Sequence, residues 1–316
     1  MSSSVFVSGA GGYIGFDIAK AFRRAGYRVY GLIRNQKYSS TLIINEIIPV
    51  VAKLSDTSTY VDIMSKCSII IDAVGWCSES QTFLDAAIQA GRNRGSDIYK
   101  PLFIFTSGIM TYGDASRLPL DETIKPKPKS IPGDMKEREE FEDKILLLKQ
   151  TEGVYPVVVR PGFVYGGQGG FVADLFYKIG TDKELVLYGR SDKRWSWVHI
   201  DDLSDAYVLI ARSPIASVKN QMFNIAAQGD NPTYEQLRVA MAQQLGWSNT
   251  KNKIIYHSVD KMDEKDAHQL NWEPDVIINP KKITDQLGWT PKHVGYLHEI
   301  EIYYQSWLQS KKEKMN

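Results

Sequence analysis

Val5-Phe6-Val7-Ser8-Gly9-Ala10-Gly11-Gly12-Tyr13-Ile14-Gly15 decides the fold of this chain. A short apolar run ends in glycines at 9, 12 and 15 and passes directly into Phe16-Asp17-Ile18-Ala19-Lys20-Ala21-Phe22, where apolar residues recur at helical spacing. The stretch therefore reads as a strand, a tight turn and a helix. Gly9 supplies the positive φ of a sharp exit from a strand, Gly12 removes the Cβ that would keep a pyrophosphate away, and Gly15 lets the helix lie close to the sheet. Phosphates would then meet the backbone N–H groups of the turn, around Tyr13 and Ile14, and the positive end of the helix dipole. Gly26 reads as the helix stop and Arg28-Val29-Tyr30-Gly31-Leu32-Ile33 as the second strand, which is the context such a turn needs.

Composition limits what surrounds this unit. The chain has 316 residues, 43% hydrophobic and 24% charged, which suits a globular protein with a sizeable core. Its 38 basic and 37 acidic residues leave a net charge of +1, which offers nothing to nucleic acid or a membrane surface. Cys67 and Cys77 are too few for a disulfide framework, and the five histidines lack ligand spacing, so no structural metal is expected. Met1-Ser2-Ser3-Ser4 leads directly into the first strand, so no secretory signal and a cytoplasmic protein are expected.

Further apolar runs follow at Val50-Val51-Ala52, Ile69-Ile70-Ile71-Asp72-Ala73-Val74-Gly75, Leu102-Phe103-Ile104-Phe105-Thr106-Ser107 and Val157-Val158-Val159-Arg160-Pro161, with helical segments between them, notably 82–90 and 135–150. Apolar strands alternating with helices imply a parallel sheet covered on both faces, whose ligands bind beyond the C-terminal strand ends. That places Gly9, Gly12, Tyr13, Ile14, Gly15, Arg34, Leu54, Ala73, Val74, Gly75, Thr106, Pro161 and Val164 around a dinucleotide. The second strand ends in Arg34 rather than an acid, so a 2′-phosphate is favoured over free ribose hydroxyls, and NADP over NAD. Lys125-Pro126-Lys127-Pro128-Lys129-Ser130-Ile131-Pro132-Gly133 reads as an extended, solvated loop.

Several stretches in order resemble one family. The glycine turn, Thr106-Ser107-Gly108-Ile109-Met110-Thr111-Tyr112-Gly113, Arg160-Pro161-Gly162-Phe163-Val164-Tyr165-Gly166, Arg194-Trp195-Ser196-Trp197-Val198-His199-Ile200-Asp201-Asp202-Leu203, Phe223-Asn224-Ile225-Ala226 and Leu287-Gly288-Trp289-Thr290-Pro291 are similar to landmarks of the extended or atypical short-chain dehydrogenase/reductases of the NAD-dependent epimerase/dehydratase type. The resemblance implies an α/β protein: a Rossmann doubly wound parallel sheet over 1–161 plus about 196–226, and a smaller, discontinuous C-terminal substrate domain over 162–195 plus 227–316. It also leaves a homodimer open through the helices after the fourth and fifth strands, although Phe141, Ile145 and Leu148 fit a core stripe equally well. His199 and Asp202 read as ties of a strand-to-helix corner, and Tyr165 either faces the site or packs beneath the loop.

The chain departs from the family's proton relay. In the family a Ser or Thr holds the reacting oxygen, a Tyr exchanges its proton, and a Lys four residues later binds the nicotinamide ribose. Here the Ser/Thr position falls on Gly108, and the Tyr-x-x-x-Lys is missing. Lys136 would align Pro132 with the tyrosine; Arg138, which is preferred, aligns Asp134 with it and either binds the ribose or pairs with Glu142 at i, i+4. Tyr112, Ser107 and Asp134 are the groups left to exchange a proton. The reading is an NADP-dependent oxidoreductase or epimerase-like enzyme for a small carbonyl or sugar-derived substrate; the alternative is a catalytically silent NADP(H) sensor that controls a partner.

Overall fold

The computed structural model describes residues 3–94, 100–113, 119–125, 135–149, 152–179, 183–229, 231–262 and 273–315. Its first half runs β1 (Ser4–Val7), α1 (Tyr13–Arg24), β2 (Arg28–Ile33), α2 (Ser39–Ile44), β3 (Ile48–Val51), α3 (Val61–Met64), β4 (Ile69–Asp72), α4 (Ser80–Asn93), β5 (Leu102–Thr106), α5 (Met135–Leu146) and β6 (Tyr155–Pro161). The second half adds β7 (Phe163–Tyr165), α6 (Gly170–Phe176), β8 (Leu185–Tyr188), β9 (Trp197–His199), α7 (Ile200–Arg212), α8 (Ile215–Val218), β10 (Gln221–Ile225), α9 (Tyr234–Gln244), β11 (Ile254–His257), α10 (Lys281–Leu287) and α11 (Ile300–Met315).

Seven parallel strands form the central sheet in the order β10-β6-β5-β4-β1-β2-β3. The Rossmann-type doubly wound sheet is thus present, and its order reverses between β1 and β4. Side-chain alternation explains why the strands read as unbroken apolar runs. Val5, Val7, Ile104, Val157 and Val159 pack with Ile18 and Phe22 of α1 and with Leu203, Ala206 and Ile210 of α7. Phe6, Ile70, Phe103, Phe105 and Val158 pack on the other face with Phe83 and Leu84 of α4 and Phe141 and Ile145 of α5. Each such side chain, fully buried, contributes about 1.5–3 kcal/mol. The stripe Phe141, Ile145, Leu148 therefore belongs to the core, and Leu147 beside it is 79% exposed.

A third cluster makes the smaller lobe, from Phe163, Phe176, Trp195, Trp197, Tyr234, Tyr296 and Tyr303. Two short parallel pairs serve it, β7 with β9 and β8 with β11. Two packing details show how the lobes meet. Trp197 of β9 lies in the smaller lobe because Phe163 packs 5.3 Å from it, ring to ring. Ile283 and Trp289 return to the core of the larger lobe, where the Trp289 indole donates to the Asp202 carbonyl at 3.1 Å. No helix among the described residues is long and apolar enough to cross a membrane.

Candidate functional site

The glycine turn lies at the reversal of strand order, between the ends of β1 and β4. Gly9 adopts φ +66°, and a Cβ there would come within 3.0 Å of the Ala73 carbonyl, so the turn and the β4 end are in close contact. Gly15 permits the approach of α1 to the turn, since a Cβ on it would lie 2.3 Å from the Gly9 carbonyl oxygen. Gly12 caps α1 without a side chain, and no acid occupies the first helical turn. Phe16 donates to the Gly12 carbonyl at 3.0 Å, so the N–H groups of Tyr13, Ile14 and Gly15 precede the first intrahelical bond. These are the donors and the dipole end that an anion needs.

Other expected positions gather around this turn. Arg34 is exposed just beyond β2, and Asn35 caps the following turn by accepting from the Lys37 N–H at 2.9 Å. Tyr38 covers Gly11, whose missing Cβ would lie 3.1 Å from the ring, and Lys37 stands 4.9 Å over the same ring. Leu54 is buried, Val74 is 44% exposed beside Gly9, and Gly75 has φ +83°. Thr106 is turned the other way, bonded to the Tyr207 hydroxyl at 2.7 Å. Pro161 is buried and pairs with Ile225 on β10, and Val164 lies outside the central sheet on β7.

Sequence reasoning missed Asp72. This carboxylate ends β4, 1% exposed, and accepts from Ser8 Oγ at 2.8 Å and from the Val74 N–H at 3.2 Å. The Ser8 hydroxyl accepts in turn from the Ala73 N–H at 3.1 Å, so one small network ties the strand end to the glycine turn. Burial pushes the Asp72 carboxyl up to about 6, against the two hydrogen bonds that oppose it. A raised carboxyl favours folding while protonated, and that contribution fades as pH rises through 6. Asp72→Asn keeps the acceptor and should raise stability by about 2–3 kcal/mol at pH 8, with the gain vanishing below about pH 4. Urea midpoints of both proteins across that range give the comparison.

Residues 5–226 match the sequence profile of the NAD dependent epimerase/dehydratase family. The chain belongs to this family. An uncharacterized protein of Sinorhizobium fredii is 23% identical over 249 residues, 76% of this chain, which spans 59% of that protein. Among solved structures, a Thermus thermophilus UDP-glucose 4-epimerase in complex with NAD superposes with TM-score 0.73 at 19% identity, covering 96% of this chain and 99% of that one. A dTDP-glucose 4,6-dehydratase of Streptomyces venezuelae with NAD bound gives TM-score 0.75 at 17% identity, covering 98% of both.

Another set of groups meets beyond the end of β5. Gly108 follows β5, and a Cβ on it would lie 3.2 Å from Nη1 of Arg138 on α5. The guanidinium thus stands beside the backbone of Gly108. Glu142, one turn after Arg138, is fully buried and grips Arg160 of β6: Arg160 Nε donates to Oε1 at 3.2 Å and to Oε2 at 3.0 Å, and Nη2 joins Oε2. The carboxylate that the i, i+4 spacing offered to Arg138 is therefore committed to β6. Tyr112 lies under the Arg160 guanidinium, 4.4 Å from ring centroid to Cζ. Its hydroxyl donates to the Asp121 carbonyl at 3.1 Å and accepts from Asn224 Nδ2 at 2.9 Å, and burial raises the phenol. That hydroxyl is spent inside the protein. Ser107, 7% exposed, has no hydrogen-bond partner for Oγ among the described residues, and Asp134 lies outside those residues.

The smaller lobe meets the turn through Tyr13, whose hydroxyl donates to the Gly166 carbonyl at 2.7 Å. Ser306 of α11 holds the next carbonyl, Gly167, at 2.6 Å. Tyr165 packs beneath this loop, fully buried, edge-on to His199 at 5.2 Å. His199 caps α7 by accepting from the Asp201 N–H at 3.2 Å, and it stacks on His293 at 3.6 Å. His199, Asp201 and His293 bring ligand atoms within 4.8 Å of one another, a grouping that histidine spacing did not reveal. Nδ1 of His199 is taken by the helix cap and Nδ1 of His293 lies 3.1 Å from Asp202 Oδ2, so the group works as a corner tie. Burial and the neighbouring His293 push His199 down to about 4, which keeps it a neutral acceptor at pH 7.

Proposed function

We propose that the chain binds NADP(H) at the glycine turn and acts as an oxidoreductase or epimerase-like enzyme on a small carbonyl or sugar-derived substrate. The observation that carries this reading is the N-terminus of α1: an uncapped helix end with no acid in its first turn, approached through Gly12, at the reversal of strand order. The fit is good, because a Cβ on Gly12 would meet the Gly9 oxygen at 3.2 Å and, its chain neighbours aside, nothing else within 4 Å among the described residues. The backbone around Tyr13, Ile14 and Gly15 would hold the diphosphate, with Val74 and Gly75 beside it.

Arg34 and Lys37 put two cations at the end of β2, with no acid between them, which favours a 2′-phosphate. A titration of NADPH and NADH should show NADPH about tenfold tighter, and Arg34→Ala should close most of that gap; equal affinities in the unmodified protein refute the preference. A nicotinamide cofactor supplies or removes a hydride, and the oxygen left on the reacting carbon must be stabilised. Arg138, whose Nη1 lies 3.2 Å from where a Cβ on Gly108 would stand, would stabilise negative charge on that oxygen without giving up a proton. The proton then exchanges with water or with the substrate itself.

The engaged hydroxyl of Tyr112 and the absent one at Gly108 favour a second reading, a dinucleotide sensor without turnover. NADPH oxidation against a panel of aldehydes, ketones and sugars separates the two. Tight NADPH binding with no oxidation by any member assigns the sensor.

A further inference from the structure

We propose that two copies of this chain pair about a two-fold axis at the sheet edge where the strands begin, a basic patch at the end of α1 in each copy meeting an acidic patch at the end of α5 in the other. The basic patch is built from two adjoining hollows. Lys20, Arg23, Arg24 and Ile44 line the first, of about 340 Å³, together with Glu46. Arg28, at the start of β2, lines the second, which shares Arg23 and Glu46 with the first. Four cations thus face one acid. Glu46 reaches Arg23 at 2.7 Å from a left-handed backbone, φ +58°, and so fixes one guanidinium in place. The dipole of α1 accounts for cations in its own last turn but not for Arg28 on a strand.

The acidic patch is its counterpart. Glu140, Asp143 and Glu152 line a hollow of about 530 Å³, and the cation beside them, Lys144, donates to Gln81 at 2.6 Å. Among the described residues no large apolar side chain is more exposed than Ile44, at 80%, and Leu147, at 79%. Each of the two stands within one of these patches. An exposed apolar side chain with a charged surround is the layout of an interface centre and its rim. The two rims carry opposite signs in a chain whose net charge is only +1, so the complement of each patch is the other. Within one chain they cannot meet, because α1 and α5 cover opposite faces of the sheet, and β2 and β6 lie four places apart, about 19 Å at the usual strand spacing. Both patches nevertheless lie at the edge where the parallel strands begin, since α1 and α5 end just before β2 and β6. A two-fold axis across that edge, midway between the patches, exchanges them and makes the contact twice. The glycine turn, at the opposite edge, stays open.

Sedimentation velocity of the unmodified chain at about 100 µM, in about 50 mM salt, should show a dimer. Arg23→Glu/Arg24→Glu sets acid against acid at both contacts, Glu140→Lys/Asp143→Lys sets base against base, and each should weaken the dimer about tenfold or more. An equal mixture of the two variants should restore a dimer holding one chain of each, because both contacts again join opposite charges and a misfolded variant could not be rescued in this way. Leu147→Ser should weaken the unmodified dimer about tenfold or more by removing the apolar centre of both contacts. A chain that stays monomeric at that concentration overturns the proposal and leaves the patches to another kind of partner. A dimer that tolerates both charge reversals overturns it too, as does a mixture of the two variants that remains monomeric.

Discussion

Glu142→Ala should lower the stability of the chain by about 3–5 kcal/mol, because it leaves the Arg160 guanidinium buried without its carboxylate. Arg160 is 1% exposed, so water cannot replace the lost oxygens, and the Tyr112 ring 4.4 Å away carries no charge to offset the guanidinium. The pair joins α5 to β6, so its loss also loosens the helix that carries Arg138. Urea unfolding measures the cost, and the double variant Glu142→Ala/Arg160→Met should recover much of it by removing the stranded charge. A single-variant cost under about 1 kcal/mol would mean that the pair is solvated and that α5 is held by Phe141 and Ile145 alone.

The second large effect concerns the turn. Gly15→Val places a branched side chain where even a Cβ would lie 2.3 Å from the Gly9 oxygen, so α1 must move away from β1. Overpacking of this kind costs about 1–3 kcal/mol of stability. The larger consequence falls on binding, since the N–H groups of Tyr13 and Ile14 move with the helix and lose their aim at the diphosphate. NADPH affinity should drop about 100-fold or more. An affinity within about threefold of the unmodified protein would show that the helix end does not contact the ligand.

What the sequence reveals of this fold follows from how local the causes are. The turn from Val5 to Gly15 is legible because each glycine answers a demand of its own immediate backbone. The sheet is legible because strands buried on both faces need apolar residues at every position, as Ile69-Ile70-Ile71 shows. Asp72 escaped because a carboxylate at the end of such a run looks like the start of a loop; its bond to Ser8 spans 64 residues. The commitment of Glu142 to Arg160 lies across the packing of α5 on β6, whereas helical spacing alone points Glu142 to Arg138. Tyr112 reads as an available phenol until Asn224, 112 residues away, is seen to donate to it. Chemistry at this site depends on long-range partners, and short-range patterns do not specify them.

Isothermal titration of NADPH into the purified, unmodified chain tests the central claim most directly. The account predicts saturable binding of one NADPH per chain, since only one glycine turn meets a helix N-terminus at the reversal of the sheet among the described residues. Absence of binding at millimolar NADPH and NADH alike would contradict it, and would make the turn a structural corner with no ligand.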